Sequence, residues 1–157
     1  MTRSSPPLVS VIIPTYNRAA LVGASVRSVF QQTYRPIECL VMDDGSTDDT
    51  ASVLQALARE CPPGVDLRYA WAQNAGPNHA RNRGVAASRG DYICYLDSDD
   101  VLPPDSVEAR ARLLTEDAKV DFCYGVGSVQ DESGEELGRI GEPWPSAGES
   151  RIARYLF

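Results

Sequence analysis

Residues 8–50 read LVSVIIPTYNRAALVGASVRSVFQQTYRPIECLVMDDGSTDDT, and this stretch decides the fold. Leu8–Ile13 is an apolar run rich in β-branched residues, with Ser10 inside it, that stops at Pro14, the pattern of a strand buried on both faces and closed by a turn. From Ala20 to Gln32 the residues Val22, Val26, Val29 and Phe30 recur at helical spacing, and Tyr34–Pro36 breaks the pattern. Cys39–Met42 is a second apolar run. The turn DDGS follows it, then a helical stripe of Val53, Leu54, Leu57, Ala58 and Cys61 that ends at Pro62 and Pro63. Two strand–turn–helix units in succession demand a right-handed crossover and parallel pairing.

Outward from this stretch the alternation continues. Leu67–Ala72 reads as a third strand, and NAGPNHARNRGVAASRG (residues 74–90) carries Ala80, Gly84 and Ala87 at helical spacing, small residues suited to close packing, with Gly90 as the stop. Tyr92–Leu96 is a fourth strand with DSDD (97–100) as its exit. Pro103–Asp117 then reads as a helix with Val107, Ala111 and Leu114 turned inward. The expected architecture is α/β: a Rossmann-like, mainly parallel sheet with helices on both faces. Farther on, Phe122–Val129 is a candidate fifth strand and DESG with Glu136–Ile140 a hairpin or edge ribbon. Residues 141–149 are rich in Pro, Gly and Ser, and residues 150–157 read as a helix beginning.

The 157 residues suit one domain, and 43% hydrophobic residues suffice for its core. A net charge of −7, with arginines that form no run or stripe, argues against a nucleic-acid partner. No stretch approaches the roughly 18 uninterrupted apolar residues that a spanning helix needs, so no membrane span is expected. Cytoplasmic placement follows, with membrane attachment of a longer protein left open. Cys39, Cys61, Cys94 and Cys123 are far apart, form no CxxC pair, and read as reduced core residues, three of them in strands. His79 reads as an ordinary helix-start residue.

In an open parallel sheet, ligands bind outside the carboxyl ends of the strands. Three exits are polar and should converge there: Pro14-Thr15-Tyr16-Asn17-Arg18, the DDGSTDD of residues 43–49, and Asp97-Ser98-Asp99-Asp100. In the second, Gly45 suits the turn, Ser46 or Thr47 a helix cap, and Asp48 and Asp49 the helix dipole. That leaves Asp43 and Asp44 at the strand end, where a carboxylate can accept the N–H of a uracil ring stacked on Tyr16. Asp97, Asp99 and Asp100 crowd three like charges into four residues, an arrangement that calls for a cation or solvent. Carboxylates at i and i+2 offer the hard oxygens that Mg²⁺ or Mn²⁺ takes. Arg81 and Arg83, in the first turns of the third helix, are placed to reach a diphosphate. A Rossmann-type phosphatase would need a nucleophilic Asp just after the first strand, where Pro14, Thr15 and Tyr16 stand.

Taken together, VSVIIPTYNR, VMDDGSTDDT, NAGPNHARNRG and GDYICYLDSDD, in this order and spacing over roughly Leu8–Asp117, resemble glycosyltransferase family 2 with its A-type fold. The resemblance implies an inverting, metal-dependent transferase that moves a sugar from a UDP-type nucleotide-diphospho-sugar to a carbohydrate or lipid-linked acceptor hydroxyl. It implies Tyr16 and Asp44 at the base, Asp97 near the ribose and sugar, Asp99 on Mn²⁺ or Mg²⁺, and Asp43 as the less certain acidic partner. Pro14, Thr15, Asn17, Arg18, Asn74, Gly76, Arg81 and Ser98, from the same blocks, complete the expected donor contacts. The expected layout is a disordered tail at 1–7, a nucleotide-diphospho-sugar-binding domain at 8–130, and a hairpin or linker at 131–157 that begins an incomplete acceptor side. Glu132, Glu135, Glu136 and Glu142 read as solvated, so a general base is expected outside this chain. The alternative is a non-catalytic nucleotide-binding or interaction module. Oligomeric state is left open.

Overall fold

The computed structural model describes residues 5–117, 119–125, 127–131 and 135–140. The chain divides into two compact units, residues 1–120 and 121–157. In the first, strands β1 (Val9–Thr15), β2 (Ile37–Asp43), β3 (Val65–Trp71) and β4 (Tyr92–Tyr95) alternate with helices α1 (Val22–Phe30), α2 (Thr50–Ala58), α3 (Pro77–Ala87) and α4 (Ser106–Glu116). The sheet order is β3-β2-β1-β4, and every pairing within it is parallel. This is the expected α/β architecture.

Every residue of β1 and β2 is buried, as their largely apolar runs require of central strands. Val11, Ile13, Cys39 and Val41 point to one face, where they join Val22, Val26 and Val29 of α1, Leu54 and Leu57 of α2, and Val107 and Ala111 of α4. Ile12, Leu40 and Met42 point to the other and meet Ala80 of α3. The expected small-residue packing of α3 is realised at Gly84, where an added Cβ would lie 2.4 Å from Ile12 Cγ2. Burial of Cys39 pushes its thiol pKa up. No disulfide joins the four cysteines, and Cys123 lies outside any strand. Among the described residues, no helix is long and apolar enough to cross a membrane.

Two element boundaries differ from expectation. Helix α4 starts at Ser106 rather than Pro103, because Pro103 and Pro104 supply a preceding turn whose carbonyls are taken by other groups. The candidate strand at 122–129 is only Gly127–Gln130 (β5), and it pairs antiparallel with β6 (Glu136–Ile140) in a separate two-stranded sheet. Gly125 interrupts the run before β5, where glycine weakens a strand; Phe122 and Tyr124 stack with their ring centroids 6.1 Å apart. The hairpin of the second unit is as expected, closed by the Asp131 N–H donating to the Glu135 carbonyl. The readings of residues 1–4 and 141–157 lie outside the described residues.

At the amino end of the sheet, Glu38 is fully buried. Its Oε1 accepts from the Ser10 hydroxyl at 2.6 Å and the Arg89 backbone N–H at 2.5 Å, and its Oε2 accepts from Arg89 Nε at 3.0 Å. Arg68 lies 3.4 Å away, and Arg89 also pairs with Asp66. Burial alone would raise the carboxyl pKa, but these donors outweigh it and hold Glu38 below the usual carboxylate range. A lowered folded-state pKa contributes stability above the unfolded value, about 4.3, and loses it as pH falls through the folded value. Glu38→Gln is therefore expected to destabilise the protein at pH 7 by roughly 2–4 kcal/mol. In denaturant titrations the gap between variant and wild type should narrow as pH drops below about 4; a gap constant from pH 7 to 3 would show that the charge contributes nothing.

Candidate functional site

Because β2, β1 and β4 are parallel neighbours, their exits end side by side and bound one cleft of about 410 Å³. Strand β1 contributes Pro14, Thr15, Tyr16 and Arg18 to its lining, and β2 contributes Asp44. The β3–α3 connection and α3 contribute Asn74, Gly76, Pro77, Ala80 and Arg81; the β4 exit contributes Asp97, Ser98 and Asp99. The sequence-predicted donor and metal residues thus meet here except Asn17, Asp43 and Arg83, and Asp100 also lies outside the lining. Pro77 and Ala80 were not among those expected, since packing accounts for an apolar residue on a helix as well as a ligand does.

Asn17 and Asp43 build the frame under the cleft. Asn17, at φ 50°, receives Ser46 and Thr47: its N–H donates to Ser46 Oγ at 2.8 Å and its Oδ1 accepts the Thr47 N–H at 2.8 Å. Asp43 is fully buried, its Oδ1 accepting the Ser46 N–H at 2.8 Å and its Oδ2 the Tyr69 hydroxyl at 2.7 Å. Burial and the Asp43 carboxylate raise the Tyr69 pKa, so the hydroxyl stays a donor. Strand alternation from Leu67 is the signal that would have found Tyr69. Ser46 and Thr47 are not helix caps, because α2 begins only at Thr50. Asp48 serves that start instead, accepting the Thr50 N–H at 3.1 Å and the Thr50 hydroxyl at 2.6 Å.

Asp44 is 3% exposed, and its oxygens accept the Ala75 N–H at 3.1 Å and the Gly76 N–H at 2.7 Å. Its own N–H donates to the Thr15 carbonyl at 2.9 Å, joining three exits at one residue. Gly45 beside it has φ +91°, and a Cβ there would lie 2.8 Å from the Asn74 nitrogen. Gly76 has φ 95° and ψ 159°, a region essentially restricted to glycine, and hands the chain to Pro77 at the start of α3.

The acidic exit is countered by arginines. Arg81 Nη2 lies 2.7 Å from Asp97 Oδ1, and Arg18 Nη2 lies 3.6 Å from Asp99 Oδ2. These pairs are partly exposed and individually weak, yet they answer the charge crowding that the sequence leaves unpaired. Asp100 has its carboxyl held above the ordinary value by burial and then by the charges of Asp99 and Asp97. Arg83 turns inward, donating to the Asp43 carbonyl at 3.0 Å with Asp44 at 3.7 Å, and does not line the cleft. One donor is left over: the Thr15 hydroxyl is buried in the cleft wall, without a hydrogen-bond partner. Tyr16, half exposed, presents its ring at the same edge.

Among the described residues, no group of three or more His, Cys, Asp or Glu is arranged to hold a metal. Asp97 and Asp99 both line the cleft, Asp97 paired with Arg81 and Asp99 with Arg18. Magnesium-type ions are commonly held by one or two carboxylates, with substrate phosphate oxygens and water completing the shell.

Known proteins resemble this arrangement. Chondroitin synthase of Escherichia coli is 37% identical over 146 residues, 93% of this chain and 21% of that protein. The Staphylococcus aureus TarS 1–349 structure in complex with UDP-GlcNAc superposes with a TM-score of 0.63 at 27% identity, covering 69% of this chain and 31% of that one. The mannosyltransferase PcManGT from Pyrobaculum calidifontis, in complex with GDP-Man and Mn²⁺, gives a TM-score of 0.66 at 28% identity over 82% of this chain and 37% of that one. The chain thus spans about a fifth to just over a third of the length of these relatives. The family model described as glycosyl transferase family 2 matches residues 10–156; with its parallel sheet and the cleft at the strand ends, the chain belongs to that family.

Proposed function

We propose that the cleft holds the donor of a glycosyl transfer, a UDP-type nucleotide-diphospho-sugar accompanied by Mn²⁺ or Mg²⁺, for inverting transfer to a carbohydrate or lipid-linked acceptor hydroxyl. The observation that carries this reading is the cleft lining itself: a half-exposed aromatic ring and an unpartnered buried hydroxyl at one side, and two arginine-countered carboxylates at the other. A nucleoside diphosphate asks for that division between base and phosphates. The volume, about 410 Å³, falls within the range of small-molecule sites. The likeness to relatives solved with UDP-GlcNAc, and with GDP-Man and Mn²⁺, supports it.

In this reading Tyr16 stacks on the base and the Thr15 hydroxyl meets a polar edge of the nucleoside. Each Asp44 oxygen accepts one backbone amide and keeps a lone pair for the ring N–H. Asn74 and Gly76 border the base side, with Ser98 between the two carboxylates. Arg18 and Arg81 exchange their carboxylate partners for diphosphate oxygens, and Asp97 and Asp99 turn to the cation and the sugar. A divalent ion held by Asp97 and Asp99 would neutralise charge developing on the leaving diphosphate. Inversion also needs a base to take the acceptor proton. Glu135 and Glu136 are exposed, with Glu136 paired to Arg139, and neither is proposed for that role.

Calorimetry of UDP with this chain tests the reading. With Mn²⁺ the affinity for UDP should exceed that in excess chelator by about tenfold or more, because the carboxylates and the diphosphate repel each other without a cation. GDP should bind more weakly than UDP. Equal UDP affinity in chelator would remove the cation from Asp97 and Asp99, and no binding in either condition would remove the donor site.

The orphaned hydroxyl gives a second test with opposite signs for two measurements. Thr15→Val keeps the shape and deletes a buried polar atom that has no partner, so thermal stability should hold or rise by about 1 kcal/mol. UDP affinity should nonetheless fall about two- to tenfold. Lower stability with unchanged UDP affinity would show that the hydroxyl serves the fold and not the nucleotide.

A further inference from the structure

Gln32 lies outside the cleft, two residues past the end of α1, and is 3% exposed. Its Nε2 donates to the Ser28 carbonyl at 3.0 Å and the Pro103 carbonyl at 2.8 Å, while its Oε1 accepts the Val107 N–H at 2.9 Å. Only one orientation of the amide satisfies both sides, since the reverse would set NH₂ against the Val107 N–H and oxygen against two carbonyls. Val107 sits in the first turn of α4, whose cap residue Asp105 makes no side-chain capping bond. A glutamine from just beyond another helix therefore answers an N–H that the helix start leaves over. Ser28 adds a parallel tie, its Oγ accepting the Leu102 N–H at 3.1 Å. Thr33 adds two more, from its N–H to the Pro104 carbonyl at 2.8 Å and from its hydroxyl to Glu108 at 2.6 Å.

These ties grip the chain directly after Asp97–Asp100. On the near side the same loop is fixed by the sheet, where the Leu96 N–H donates to the Ile12 carbonyl at 3.1 Å. The acidic residues thus hang between two anchors, one on β1 and one on the end of α1, with an internal turn from the Asp100 N–H to the Asp97 carbonyl at 3.1 Å. Three carboxylates in so short a loop repel one another and would spread if the far anchor were released. We propose that Gln32 is a positioning residue for the cation–diphosphate half of the donor site, holding Asp97 and Asp99 at the spacing that half requires while leaving the base half untouched. This rests on the donor reading above.

The base half provides the control, because Thr15, Tyr16 and Asp44 are held by β1, β2 and the loop at 75–76, none of which Gln32 touches. Gln32→Met keeps length and apolar bulk and removes every side-chain hydrogen bond of the residue. Hydrogen exchange by mass spectrometry on the ligand-free chain should show protection lost across residues 97–107 and kept in β1 and β2. Well below the melting temperature, UDP affinity in Mn²⁺ should fall about tenfold, while uridine, which has no phosphate, should bind within about twofold of wild type. Leu57→Ala, which destabilises the protein from α2, should leave both affinities in place. Should Gln32→Met not fold, Ser28→Ala releases the same segment through Leu102 and should give the same pattern with a loss of about threefold.

Unchanged UDP affinity in a folded Gln32→Met protein overturns the proposal, as does an equal loss for uridine and UDP or an equal loss in Leu57→Ala. If wild type binds no UDP in Mn²⁺, the donor reading falls with the positioning role built on it. Unchanged exchange at 97–107 beside intact wild-type binding overturns the Gln32 anchor alone.

Discussion

The carboxylate of Asp44 is the junction on which the rest of the cleft depends. A parallel sheet brings strand ends together but does not connect them, because each crossover leaves its exit loop to find its own hydrogen bonds. Asp44 supplies the connection, with its backbone to β1 and its side chain to the amides that lead into α3. Helix α3 carries Arg81, and Arg81 meets Asp97 on the β4 exit. A single buried anion therefore sets the distance between the side that would receive a base and the side that would receive a diphosphate. Gly45 and Gly76 flank this junction because the chain must run too close, or turn too sharply, for a side chain.

Much of this was legible in the sequence, for identifiable reasons. Strands β1 and β2 declare themselves because burial on both faces leaves few positions for polar residues: Ser10 and Glu38 partner each other, and Thr15 and Asp43 stand at the carboxyl ends. The convergence of Pro14–Tyr16, Arg18, Asp44 and Asp97–Asp99 followed from the rule that parallel strands end at one edge, while Asn74 and Gly76 came from the family resemblance. Asn17 and Asp43 were placed with the ligand contacts, but Asn17 latches its loop to one about 30 positions away and Asp43 ties the turn at Ser46 to Tyr69 of β3. No periodicity encodes such a bond. The same limit explains why Ser46 looked like a cap, why Arg83 looked like a diphosphate contact, and why Gln32 drew no notice. A glutamine after a helix is unremarkable until the carbonyls it serves are located about 70 residues downstream.

The charge arrangement of the cleft has a bearing on how it would work. Carboxylates and arginines there satisfy one another in pairs, each partly open to solvent. Pairs of this kind are inexpensive to separate, so a diphosphate and a cation arriving together could each take one member without leaving a bare charge behind. Either one alone would strand the other half. On the proposed donor reading, the two ligands would depend on each other, reciprocally by linkage.

Glu38 and Asp43 sit on the same strand, five positions apart, which at about 3.3 Å per residue separates them by roughly 16 Å. The first organises a polar knot at the amino end of the sheet and the second belongs to the frame under the cleft. Beyond about 10 Å, substitutions that share no partner act independently. The strand thus works as a spacer between two separately adjustable parts: the amino end can drift toward higher or lower robustness over evolutionary time without retuning the ligand end, and the ligand end can change its preferences without unfolding the molecule.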